Sequence, residues 1–136
     1  MAAGYSGTPL AKKLGIAENS RVFLLDAPKE YLKLVAPVPK GARLVKQIDG
    51  ETDIVHLFTT ERARLAALLR SSLARMRPDA AIWVSWPKKA SKVRTDITED
   101  TIRAVALPMG LVDIKVCAVD EVWSGLKLVV RKENRK

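Results

Sequence analysis

Three short apolar runs constrain this chain more than anything else in it: "RVFLLD" (21–26), "DIVHLF" (53–58) and "AAIWVSW" (80–86). Each is too short for a helix, lacks the alternation of a half-buried strand, and is bounded by polar residues. A run of this kind reads as a strand covered on both faces, as in a parallel sheet. Covering both faces takes helices between the strands, so the intervening segments should carry helical signals.

They do. "TTERARLAALLRSSLARM" (59–76) places Leu65, Leu68, Leu69, Leu73 and Met76 on one stripe, with Arg70 and Arg77 opposite. Thr60 is a natural N-cap there, and Glu61 suits the positive end of the helix dipole. Earlier, "TPLAKKLG" (8–15) has Thr8 as an N-cap, Pro9 at the first helical position and Gly15 as the stop. Asp26 caps a helix expected across 27–35, with Pro28 tolerated in its first turn. Thr98 caps another, ended by Pro108 and Gly110. "VDIKVCAVD" (112–120) and "VWSGLKLVVRK" (122–132) are joined too closely for anything but an antiparallel hairpin.

The weakest strand is "ARLVKQI" (42–48), because only "DGET" separates it from the strand at 53. Fully extended, that link spans at most ~18 Å. A hairpin turn at Asp49-Gly50 is the alternative, but a stretched parallel return is the expectation. The whole predicts one α/β domain over 1–136. It is Rossmann-like and three-layered, with a mostly parallel sheet, a C-terminal antiparallel hairpin strand and a basic tail at 131–136.

Composition narrows the function classes. The single cysteine, Cys117, permits no internal disulfide and no multi-cysteine metal site, and it reads as a buried small hydrophobe. The N-terminus lacks the apolar core of a secretory leader, and no apolar stretch approaches the ~20 residues of a membrane span. A cytoplasmic protein with no membrane contact is expected. The net charge of +9 favours polyanionic partners, though it is dispersed along the chain.

The wording of "YSGTPLAKKLGI", "VHLF", "WVSWPKKAS" and "CAVDEVWSGLKLV" resembles a small uncharacterised bacterial family, a domain of unknown function. Its core is similar to the Rossmann sheet of class I S-adenosylmethionine-dependent methyltransferases, and the match covers nearly the whole chain. The resemblance implies a last strand that is antiparallel and inserted beside the one before it. Working methyltransferases have a glycine-rich turn after the first strand. Here the turn is Asp26-Ala27-Pro28-Lys29, where a Cβ and a pyrrolidine ring fill the space that glycine leaves. Asp49 stands about where a ribose-binding acid would fall, and a further strand and helix are missing. The resemblance therefore implies a non-enzymatic binding or regulatory module with no cofactor. The alternative is a divergent transferase using Asp26, Asp120 or Glu121 as acid or base.

Open parallel sheets bind ligands outside the carboxyl ends of their strands. The predicted topology brings Asp26, Lys29, Thr59 and Thr60 to that edge, with Ser85, Trp86, Lys88 and Lys89 beside them. The hairpin adds Asp120, Glu121, Trp123 and Ser124. Trp86 and Trp123 would sandwich a ring, Lys88 and Lys89 would hold a phosphate, and amides after Thr60 would favour an anion. The expected partner is a small anionic ligand, a nucleotide among the options, or an acidic protein surface. Nucleic acid is a weaker expectation: "KKASKVR" and "RKENRK" suit phosphates, but aromatic residues are only 5% and no recognised motif is present. His56, the sole histidine, lies inside a strand and reads as a satisfied core residue. Neither Ser85 nor Ser124 has a nucleophile-elbow pattern, and no metal-ligand spacing occurs.

Overall fold

A computed structural model of the chain describes residues 8–135. The stretch expected to lack a leader core begins outside these residues, and the last lysine of the basic tail also lies outside them. Six strands form one sheet in the order β2-β1-β3-β4-β6-β5. The first four, β1 (Arg21–Leu25), β2 (Arg43–Val45), β3 (Ile54–Phe58) and β4 (Ala81–Pro87), run parallel. The hairpin of β5 (Leu111–Ala118) and β6 (Trp123–Val130) closes the sheet, with β6 inserted antiparallel between β4 and β5. The expected α/β, mostly parallel Rossmann-like architecture is present, and so is the inserted last strand.

The three apolar runs are the central strands. All five residues of β3 are buried, as are Ile82 to Pro87 of β4. Strand side chains alternate between faces, and two cores result. On one face Val55, Leu57, Ile82, Val84 and Trp86 pack against Leu65 and Leu69 of α3 (Arg62–Arg75) and Ile102 of α4 (Glu99–Ala106). On the other, Ile54, Phe58 and Trp83 pack with Leu14 of α1 (Leu10–Leu14) and Tyr31 of α2 (Tyr31–Leu34). Trp83 is fully buried, and its indole N–H donates to the Leu14 carbonyl at 2.9 Å, tying α1 to the sheet.

The capping signals differ in their success. Thr98 accepts from the Thr101 amide and forms a reciprocal capping box with Thr101, as the sequence suggests for a helix start. Gly15 and Gly110 adopt left-handed φ values of 84° and 87° where the chain must turn out of a helix. Asp26, however, does not cap a helix across 27–35. The residue before a proline avoids the helical region, so Ala27-Pro28 delays helix formation and only one turn, α2, remains. Asp26 itself sits at φ 56°.

The parallel return after β2 is real, and β2 is shorter than expected. Its strand ends at Val45, so residues 46–53 are free to cross from one side of β1 to the other. The Asp49-Gly50 turn exists inside this crossover, with the Thr52 amide donating to the Asp49 carbonyl. Arg77, expected opposite the apolar stripe, lies two residues beyond the end of α3. It pairs with Asp53 at 2.5 Å and Asp79 at 2.8 Å, clamping the end of α3 to the start of β3. No helix among the described residues is long and apolar enough to cross a membrane.

Candidate functional site

The carboxyl ends of β1 and β3 are neighbours, because the two strands pair in parallel from Val22↔Ile54 to Leu25↔Leu57. Beyond them β1 turns at Asp26, and β3 continues through Phe58, Thr59 and Thr60 into α3. Trp123 opens β6 opposite Pro87, so it reaches the same edge. Between these pieces lies a cleft of about 200 Å³, or about 440 Å³ with its open mouth counted. Asp26, Phe58, Thr59, Thr60, Glu61, Arg64 and Trp123 line it.

Phe58 and Trp123 meet edge to face, with ring centroids 5.2 Å apart, and form an aromatic wall. Across the opening Arg64 donates to the Asp26 carboxylate at 2.8 Å. Both side chains are about half exposed, so the pair contributes only about 0–1 kcal/mol and opens easily. The positive φ of Asp26 falls where glycine is the default and aspartate is tolerated. The turn therefore presents a carboxylate to the cleft where a glycine would leave bare backbone.

Behind the wall is a chain of buried polar groups. His56 stacks on Phe58 at 4.4 Å. Its Nδ1 is 3.0 Å from the Tyr31 hydroxyl and its Nε2 is 2.7 Å from Ser85 Oγ. All three residues are buried, and burial lowers the His56 pKa to about 3, leaving a neutral imidazole. Burial also pushes the Tyr31 hydroxyl far up. His56 is the satisfied core histidine expected from its strand, and none of its surface reaches solvent.

Comparison with known proteins adds a fold. No protein-family model and no curated protein sequence matches the chain. Among solved structures, a SAM-dependent methyltransferase from Aquifex aeolicus aligns at TM-score 0.56 and 15% identity, over 89% of this chain and 88% of that one. The B. subtilis M1A22 tRNA methyltransferase TrmK aligns at 0.55 and 9%, over 96% of this chain and 66% of its own. TrmN from Thermus thermophilus aligns at 0.56 and 12%, with 89% and 47% covered. The fold is methyltransferase-like. The chain spans about two thirds of TrmK and about half of TrmN.

Within this methyltransferase-like sheet the predicted site residues separate into two groups. Asp26, Thr60 and Trp123 come together in the cleft, and Thr59 joins them. Trp86 and Ser124 do not. They pair across β4 and β6 on the opposite face from Trp123, and Trp86 is packed into the α3–α4 core. The two tryptophans therefore cannot sandwich a ring, because adjacent register positions point to opposite faces. Lys88 and Lys89 lie outside the cleft lining. The Lys88 amide donates to the Val122 carbonyl at 2.7 Å, and Lys89 begins an exposed helical turn, Lys89–Ser91.

The helix start after Thr60 also differs from expectation. Glu61 occupies the cap position, and the Arg62 amide donates to the Asp96 carboxylate at 2.7 Å. The Thr60 carbonyl accepts from the Thr95 hydroxyl and the Asp96 amide. The end of the basic loop thus clasps the start of α3, and a protein carboxylate already holds one of the amides expected to attract an anion. Asp120 has a structural task as well, accepting from the Val122 and Trp123 amides at 2.8 and 2.7 Å in the hairpin turn. Among the described residues no group of three potential metal ligands occurs.

Phe58, Glu61 and Arg64 line the cleft without having been expected there from the sequence, which marked Glu61 only as a first-turn helix residue. Phe58 was legible in principle, since it shares strand parity with His56. Arg64 lies in the first turn of α3, which begins at Arg62 beside the carboxyl end of β3, and it falls on the rim for that reason.

Proposed function

We propose that this chain is a ligand-binding domain of methyltransferase-like fold whose cleft takes a molecule of the S-adenosylmethionine type, an aromatic base with a zwitterionic, net cationic tail. The charge in the cleft carries this reading. Among the described residues Asp26 and Glu61 supply two carboxylates against one guanidinium, Arg64. A polyphosphate would face two like charges for one favourable partner. A zwitterion instead sets its cationic centre near Asp26 or Glu61 and its carboxylate on Arg64, where a planar fork matches it. Phe58 and Trp123 offer the apolar wall for a base. The enclosed volume of about 200 Å³ is smaller than the ~300–1,000 Å³ usual for small-molecule sites, so part of the ligand would stand in the open mouth. Side chains, rather than a glycine-lined turn, would do the holding, and no methyl-transfer step is assigned to them.

Isothermal titration calorimetry on the full chain tests this. S-adenosylmethionine should bind saturably. Arg64→Gln and Trp123→Ala should each weaken it about tenfold, as expected for loss of one charge-assisted hydrogen bond or one aromatic contact. Absence of heat at millimolar ligand would remove the reading.

The loop from Lys88 to Arg94 favours a second reading, an anionic small ligand or an acidic partner. Lys88, Lys89, Lys92 and Arg94 have no ion-pair partner among the described residues. ATP or an RNA oligomer binding with strong salt dependence, reduced by Lys88→Gln with Lys89→Gln and unaffected by Arg64→Gln, would select it.

A further inference from the structure

The sheet face over β1 on the α3 side has an incomplete roof. Parallel strands are ordinarily joined by a dozen or more residues, usually a helix that packs on the sheet. Residues 46–53 make the β2-to-β3 crossing without a helix. Phe23 and Leu25 of β1 are consequently only partly buried, beside Ile48 of the crossing and Leu68 of α3. Between them lies a groove of about 170 Å³, separate from the cleft and sharing no lining residue with it.

Two properties of the groove point to one kind of occupant. Its walls include Phe23, Leu25, Leu57 and Leu68, so an apolar body gains by leaving water. Among the described residues its charges have a single sign: Lys46 and Arg75 line it, and no carboxylate does. Neither cation has an ion-pair partner among the described residues, whereas Arg64, Arg77 and Arg103 all do. An apolar cavity of about 150 Å³ accommodates a benzene ring, which sets the size.

We infer that this groove binds a small apolar carboxylate, a single ring or short chain whose anionic head is held by Lys46 and Arg75. The guanidinium of Arg75 suits a carboxylate because its planar donors match two oxygens at once. Ser71, which also lines the groove, adds a hydroxyl at the polar end. The site does not depend on the cleft, and either can fail without the other.

Amide-resolved NMR titration of the full chain with sodium benzoate is the test. The expected result is saturable shifts confined to Phe23, Leu25, Lys46 to Ile48 and the Ser71 to Arg75 turn. Benzyl alcohol, the same size without the charge, should bind about tenfold more weakly or worse. Lys46→Gln combined with Arg75→Gln should weaken benzoate by a similar factor while leaving the far-ultraviolet spectrum unchanged, since both side chains are exposed. Shifts that never saturate, equal affinity for the alcohol, or an unaffected double variant would overturn the inference. So would shifts of these same amides with protein concentration alone, which would give the groove to a second copy of the chain.

Discussion

Protonation of His56 should be a principal cause of acid sensitivity in this protein, and the size of the effect follows from its burial. The ring is fully buried between Tyr31 and Ser85, and its pKa falls from 6.5 to about 3. The folded-state pKa is depressed, so as pH drops below 6.5 the unfolded chain takes up a proton that the folded chain refuses. Stability is therefore lost progressively between pH 6.5 and about 3. The slope is about 1.4 kcal/mol per pH unit, which amounts to about 3 kcal/mol by pH 4.5 and about 5 kcal/mol over the full window. Domains of this size are stable by only about 5–15 kcal/mol, so the loss is large. Urea unfolding of the wild type and His56→Gln between pH 7 and pH 4.5 isolates it, because all carboxylates titrate in both proteins and cancel. At pH 7 the wild type should be more stable, by about 1–3 kcal/mol for a disrupted buried hydrogen-bond pair. That advantage should disappear or reverse by pH 4.5. The chain has one histidine, so its ring signals give an unambiguous NMR titration. Parallel pH profiles for the two proteins, or a native His56 midpoint near 6.5, would refute the reasoning.

Other consequences are equally direct. A Cβ on Gly125 would stand 3.1 Å from Trp83, which cannot yield because it is buried and bonded to Leu14; Gly125→Ala should cost about 1–3 kcal/mol in thermal unfolding, and an unchanged melting point would contradict this. Burial works to raise the Asp53 pKa, but the Arg21 amide and Arg77 guanidinium outweigh it and hold the carboxyl below its usual value. That contribution is present above the ordinary carboxylate pKa and is lost as pH falls through the depressed one. Asp53→Asn should therefore cost about 1 kcal/mol at pH 7, and the gap to wild type should close in strong acid; a gap that widened there would refute it. Burial pushes the Cys117 thiol up, so native Cys117 should react with a disulfide reagent far more slowly than the urea-unfolded chain, and equal rates would place the thiol at the surface.

Architecture was legible because it depends on apolar patterning, which the sequence displays openly. "DIVHLF" and "AAIWVSW" are the fully covered centre of the sheet, and so short an apolar run without alternation suits little besides a strand roofed on both faces. The Leu65–Met76 stripe and the Thr98 cap were legible for similar local reasons. The site was only half legible. Asp26, Thr60 and Trp123 were found because strand direction alone sends them to one edge. Trp86 was misplaced beside Trp123 because their facing depends on the register between β4 and β6, and a shift of one residue reverses every side chain. Thr60 failed as a cap since Asp96, 36 residues further along, supplies the acceptor, and no local signal announces a partner that distant. Basic residues in the 88–94 loop stand out by number, while the cation that lines the cleft among the described residues, Arg64, is an ordinary-looking helix residue.

The most direct test of the cleft as a ligand site is a crystal structure of the full chain grown with S-adenosylmethionine. Adenosyl density against Phe58 and Trp123, with the ligand carboxylate on Arg64 and the Asp26–Arg64 pair opened, is the expected result. Clear density at another surface, or an empty cleft with that ion pair intact at saturating ligand, would contradict it.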